Sequence, residues 1–173
     1  MKIEIINLLI LIVSLFLLTS CKTEKMTLEP VDSLDINKFM GDWYVVGVIP
    51  NFIEKGAKNG LESYRLNDKG NVEITYTLQK NGKNKKMSAK GFIQNEENTI
   101  WKVQFIWPIK FPYYVIDLEK NYEYTVIGLP NRKYVWIMSR DPQISDATYN
   151  QILARLDNKG YDISKIKRME QNH

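Results

Sequence analysis

The sequence predicts an all-β fold: antiparallel strands that run up and down in chain order, with one C-terminal α-helix packed outside them. Three observations carry this. Beyond Asp35, eight short runs of strand character follow closely on one another, divided by turn segments such as 67-NDKGN-71, 81-NGKN-84, 95-NEEN-98, 119-EKN-121 and 130-PNR-132. Asn, Asp, Gly and Pro supply the positive or fixed φ of tight hairpins, and hairpins join antiparallel neighbours rather than βαβ units. Within the runs, apolar and polar residues alternate, so each strand presents one apolar face to a core. Only one segment has helical period. A meander of this kind forms a sandwich or a closed barrel, and closure removes the exposed edges.

The strands are expected near 43–49, 61–67, 71–79, 86–94, 99–107, 112–118, 122–128 and 133–140. In 71-NVEITYTL-78, Val72, Ile74, Tyr76 and Leu78 share one face. In 100-IWKVQFIW-107, Trp101, Val103, Phe105 and Trp107 share a face, and in 133-KYVWIMSR-140 Tyr134, Trp136, Met138 and Arg140 do. The helix starts at Ser145, a good N-cap, and places Tyr149, Ile152, Leu153 and Leu156 on one stripe before Lys159-Gly160 ends it. The segment 163-ISKIKRM-169 is placed to add a short ninth strand.

The N-terminus is of another kind. An apolar run of fourteen residues, 5-IINLLILIVSLFLL-18, is too short for a spanning helix of about 20 residues and suits a signal peptide. It leads into 18-LTSC-21, which resembles a bacterial lipoprotein cleavage site. The expected organisation is a signal peptide at 1–20, a lipidated Cys21 and tether at 21–34, one domain at 35–170 and a tail at 171–173. Acylated Cys21 would anchor the chain to a membrane. Lys22 follows it where an acidic residue signals inner-membrane retention in some Gram-negative bacteria, which favours the outer membrane.

Composition excludes several functions. Cys21 is the only cysteine, so neither an intramolecular disulfide nor a thiolate zinc site is expected. The only histidine is His173, which removes Ser-His-Asp triads, Cys-His dyads and multi-histidine metal sites. No metal or cofactor is expected. A net charge of +4 is far from a nucleic-acid signature.

The motif 41-GDWYVV-46, the eight strands, 64-YRLNDKG-70, 130-PNRKYVWIMSRDPQIS-145 and 160-GYDISK-165 together resemble a lipocalin. More narrowly they are similar to the bacterial outer-membrane lipoprotein lipocalins, which group with the plant temperature-induced lipocalins and apolipoprotein D. One block departs from the family: 117-DLEKNY-122 keeps Asn121 and Tyr122 but has its acid out of register. The resemblance implies an eight-stranded up-and-down barrel whose closed end is sealed by Trp43, with Arg140 stacked on the indole and Gly41 admitting the backbone. It also implies a cavity that holds a fatty acid or lysophospholipid. The expected lining is Tyr76, Trp101, Phe105, Trp107, Tyr134, Trp136 and Met138, joined by Tyr64 and Tyr114.

Two alternatives stand beside this reading: a structural envelope lipoprotein with a filled barrel, and a lipid-modifying enzyme for which Glu62 is the one inward acid. The loop 50-PNFIEKGAKNG-60 and the segment 106-IWPIKFPYY-114 fit either the open end, touching membrane or gating entry, or ordinary loop packing. Lys80, Lys83, Lys85, Lys86 and Lys90 read as a solvated turn rather than a headgroup patch. The oligomeric state stays open, a homodimer included.

Overall fold

The computed structural model describes residues 27–172. The signal segment, Cys21 with the tether up to residue 26, and His173 lie outside the described residues. The elements run α1 (Ile36–Phe39), β1 (Gly41–Val48), β2 (Ala57–Leu66), β3 (Val72–Lys80), β4 (Lys83–Ile93), β5 (Ile100–Ile106), β6 (Ile109–Leu118), β7 (Tyr124–Gly128), β8 (Val135–Ser139), α2 (Asp146–Asn158), a 3-10 turn (Ile163–Lys165) and β9 (Lys167–Arg168). Each strand from β1 to β8 pairs antiparallel with the next, and β1 also pairs with β8. The sheet therefore closes into an eight-stranded antiparallel barrel. β9 adds to β1 at Gly47 and Val48.

All eight expected strands are present; the differences lie at their ends. The connection expected at 81–84 is a two-residue turn of Asn81 and Gly82 at φ 53° and 71°, and pairing continues to Lys80↔Lys83. Two successive positive-φ residues follow the right-handed twist of the flanking strands. The lysines at 83, 85 and 86 thus sit on a strand. β6 begins at Ile109, ahead of Pro112. Pro112 is tolerated because at its level β6 pairs with β5 alone; pairing with β7 starts only at Tyr114. α1 was not expected. Asp35 caps it, accepting from the backbone N–H of Asn37 and Lys38 at 3.0 and 3.4 Å, and it carries Phe39 into the barrel.

The barrel wall separates two cores. Phe39, Trp43, Val45, Tyr64, Trp101 and Val103 belong to the inner one. Ile116, Val126, Ile137, Tyr149, Ile152 and Leu156 form the outer one, between the wall and α2. Strand alternation does the sorting: along β8, Val135 and Ile137 go outward and Trp136 and Met138 inward. α2 begins at Ser145, whose hydroxyl accepts from Thr148 N–H at 3.1 Å, and ends where Gly160 N–H donates to the Asp157 carbonyl at 2.8 Å. It seats close to β1 because Gly47 has no Cβ, which would lie 2.6 Å from the Tyr149 hydroxyl. Arg155 ties the helix to the wall, donating to Asp117 Oδ2 at 2.6 Å and to the Tyr124 hydroxyl at 2.9 Å.

The ring has a weak seam. β1 and β2 pair only from Gly41↔Tyr64 to Tyr44↔Leu61. Beyond that the C-terminal segment bridges them. The Gln171 amide donates to the carbonyls of Val45 at 2.7 Å and Gly60 at 3.1 Å, one on each strand. Gln171, assigned to a tail from sequence, is buried there.

Candidate functional site

The hairpins β1–β2, β3–β4, β5–β6 and β7–β8 gather at one end of the barrel by the alternation of antiparallel strands. The other end receives α1 and the remaining connections.

That other end is closed. The Arg140 guanidinium lies 3.7 Å from the centroid of the Trp43 ring. The same group donates to four carbonyls, those of Lys38, Phe39 and Met40 at the end of α1 and that of Asp42. A short helix leaves its last carbonyls unsatisfied, and a planar five-donor cation answers several at once. Gly41 at φ 95° threads past this group; a Cβ on it would lie 3.4 Å from Arg140 Nη1. Trp43 Nε1 donates to the Phe39 carbonyl at 2.8 Å. Above Trp43 the floor is layered with rings: Phe39 sits 5.2 Å from Trp43 and 5.5 Å from both Tyr64 and Trp101.

A polar layer lies on these rings. Tyr64 donates to Glu62 Oε2 and shares a second hydrogen bond with the Tyr113 hydroxyl, which also reaches Glu62 at 3.1 Å. Burial pushes the Glu62 carboxyl up to about 7; the two tyrosine hydrogen bonds pull it back and the charge of Glu54 pushes it further up. A second buried carboxyl, Glu54, comes from the β1–β2 loop. It accepts from Trp136 Nε1, from the Tyr76 hydroxyl at 3.4 Å and from Asn51 N–H at 3.1 Å. Burial raises it too, against those hydrogen bonds. Lys80 holds this loop to β3, its ammonium donating to the carbonyls of Phe52 at 2.8 Å and Ile53 at 3.1 Å. Tyr76 feels both carboxyl charges, so the two acids face one interior.

The expected lining residues divide. Tyr64, Tyr76, Trp101, Trp136 and Met138 come together in the inner core. Tyr114 and Tyr134 pack on the outer core. For Tyr114 the reason is phase: Tyr113 and Tyr114 are adjacent, and Tyr113, paired with Trp101 and stacked on it at 5.7 Å, takes the inward position. Tyr134 precedes β8, so strand alternation does not govern it, though its ring stands 6.3 Å from Trp136. Phe105 and Trp107 are not in either core and are 50% and 82% exposed. β5 pairs with β4 only up to Gln104, and its pairing with β6 is irregular between Val103 and Ile106. The hairpin tip therefore overshoots the barrel, and its nominally inward face meets no core.

Tyr113, Glu54 and Phe39 are among the interior residues that sequence reasoning missed. The alternation Phe111, Tyr113, Val115 carried the signal for the first. Nothing periodic marks the other two, because each arrives from a non-strand segment. Among the described residues no group of three or more His, Cys, Asp and Glu side chains could hold a metal ion.

A small closed antiparallel barrel sealed at one end by a tryptophan under an arginine, with one helix outside, has the size at which the interior is either filled by side chains or holds one small ligand. A family model described as a lipocalin-like domain matches residues 34–171. The chain belongs to the lipocalin family. It is 31% identical over 168 residues to temperature-induced lipocalin-1 of Arabidopsis thaliana, covering 87% of this chain and 86% of that one. It is 28% identical to the outer membrane lipoprotein Blc of Escherichia coli, covering 87% and 88%. Among solved structures, insecticyanin from the tobacco hornworm Manduca sexta superposes with a TM-score of 0.65 at 17% identity, covering 84% of this chain and 85% of that one.

Proposed function

We propose that the protein is a lipid-anchored lipocalin that holds an acyl-chain lipid, a fatty acid or lysophospholipid, inside its barrel. The anchor is acylated Cys21, and the site of action is the outer membrane of a bacterial envelope, as the name of the Blc relatives suggests. The observation that carries the reading is the inner face between the ring floor and the mouth. There Tyr76, Leu78, Met87 and Trp136 supply apolar surface beside two buried carboxyl groups.

Those carboxyl groups argue for an orientation. A lipid carboxylate or phosphate seated deep would join Glu62 and Glu54, two acids whose ionised forms burial already disfavours, and a third anion in that interior is disfavoured for the same reason. The acyl chain goes in first, and the anionic head stays at the mouth among the lysines of β3 and β4. Ten buried methylenes contribute about 8 kcal/mol before association costs, which sets micromolar binding as the ceiling for a chain of that length. The activity proposed is binding without turnover.

Mass spectrometry of an organic extract of the native protein tests this. A stoichiometric acyl lipid is the expected result. Ring packing around Phe39 and Trp101 favours one second reading, a structural lipoprotein with a filled barrel. An extract without lipid, together with no saturable change in tryptophan fluorescence across an acyl-chain panel, selects it.

A further inference from the structure

The ends of the barrel carry opposite charge. The mouth segments 49–58, 79–87, 104–112 and 129–135 contain nine lysine and arginine residues and one acid, Glu54, which is buried. Lys58 pairs with Glu170 beside the rim. The segments at the sealed end, 32–42, 66–71, 94–99, 117–123 and 140–145, contain ten acids and four bases. The molecule is thus an electric dipole along the barrel axis, positive at the mouth, although its net charge is only +4.

The mouth also holds most of the large exposed apolar side chains among the described residues. Trp107 is 82% exposed, Ile106 73% and Ile109 55%, all on the tip of the β5–β6 hairpin, and Phe52 in the β1–β2 loop is 85% exposed. The hairpin tip has no paired neighbour strand, since β4 leaves β5 beyond Lys90↔Gln104 and β7 joins β6 only from Tyr114. Lys110 lies along its flank, its ammonium 3.6 Å from the Phe92 ring centroid. A soluble surface seldom gathers apolar side chains in this way without a partner. A tryptophan and aliphatic tips ringed by lysines match the chemistry of one partner, the interface of an anionic bilayer, where tryptophan sits at headgroup level and lysines gain from the negative surface potential.

We infer that the open end of the barrel is a membrane-docking face: Trp107, Ile106 and Phe52 enter an anionic bilayer while the lysines of β3 and β4 engage its phosphates. The dipole turns the mouth toward the negative surface before contact. Docking needs no bound ligand. Trp107 and Phe52 stand outside the barrel interior, so their variants test it independently of lipid binding, whereas the lysines of β3 and β4 serve both.

The test uses residues 22–173, which include every described element but lack the acylation site, so that attachment is through the rim alone. Co-flotation with vesicles of phosphatidylglycerol and phosphatidylcholine is compared with pure phosphatidylcholine vesicles. The expected result is at least tenfold tighter association with the anionic vesicles, weakening as salt rises. Lipids brominated on the acyl chain should quench fluorescence, and Trp107→Ser should remove most of that quenching. The Phe52→Ser/Trp107→Ser double variant and the Lys83→Glu/Lys85→Glu/Lys86→Glu triple variant should each lower association at least tenfold. Unchanged thermal midpoints would show that both remain folded. No vesicle association, equal association with neutral vesicles, or full association by both variants overturns the inference. So does a concentration-dependent dimer that Trp107→Ser dissolves without any effect on vesicles, since the face would then belong to a second copy.

Discussion

The sealed end and the mouth are built from the same eight strands, yet they solve opposite problems. At the sealed end the polar groups of the floor have fixed partners: Arg140 caps four carbonyls, and Trp43 Nε1 has the Phe39 carbonyl. Rings fill the space between the strands, and β1, β2 and β8 are all paired there. At the mouth, strand pairing lapses between β4 and β5 and along the outer parts of β1 and β2. Apolar tips face outward, and the charge is nearly all of one sign. The difference teaches that fixed polar bonds and ring packing are concentrated at the sealed end. The other end can then be charged and carry exposed apolar tips without unfolding the whole, in the usual division between a rigid scaffold and its loops.

Changes along the axis should break or sharpen this contrast. The largest effect is expected at the floor. Trp43→Ala or Phe39→Ala should lower unfolding free energy by about 3–5 kcal/mol, as large aromatic truncations in a packed core do; chemical denaturation measures it. A variant that kept its stability but lost lipid binding would move Trp43 from floor to pocket wall.

Glu62 comes next. Its carboxyl is raised from 4.5 to about 7 in the folded state, so the folded protein binds the proton more tightly than the unfolded chain. Its contribution is therefore most favourable below about pH 4 and is lost as pH rises towards 7. The loss is on the order of 3 kcal/mol, at about 1.4 kcal/mol for each tenfold difference in proton affinity between the two states. Glu62→Gln should flatten that part of the stability–pH curve, which denaturation at a series of pH values will show. An unchanged slope would place the proton elsewhere.

Arg140→Lys should cost about 1–3 kcal/mol, since an ammonium cannot answer four carbonyls and stack on the indole together. A thermal midpoint lowered by several degrees is the readout. The smallest effect belongs to the mouth: Phe52→Ser or Lys85→Glu should change stability by less than about 0.5 kcal/mol. A large loss at either position would make the mouth part of the scaffold and erase the contrast.

Much of the wall was legible in the sequence because its code is local. Alternation in β3 assigned Val72, Ile74, Tyr76 and Leu78 to one face, and all four lie in the inner core. Ser145 and Gly160 marked the ends of α2 through capping chemistry that needs no tertiary context. Illegibility began where a residue's surroundings depend on distant chain. Trp107 has the phase of an inward residue, but whether a core exists at its level depends on where β4 departs from β5. Tyr113 and Tyr114 differ only in phase, and an irregularity in β6 between Val115 and Asp117 disturbs the count from the far end. Glu54 enters the barrel because its loop folds over the mouth and Lys80 holds it there, a contact across 27 residues that no local pattern announces. The opposed charges of the two ends were present in the composition. They became visible only when the topology sorted the loops into two groups.

Gln171 bears on how the chain is made. A barrel whose seam is spanned by Gln171 cannot be finished until that residue has left the ribosome. β1 and β2 emerge early, but the carbonyls of Val45 and Gly60 wait for a side chain that follows long after them to join them. Until it arrives, the outer ends of both strands present unpaired backbone to whatever is near. A stop codon in place of Gln171 would leave every strand and the helix encoded and the ring unfastened.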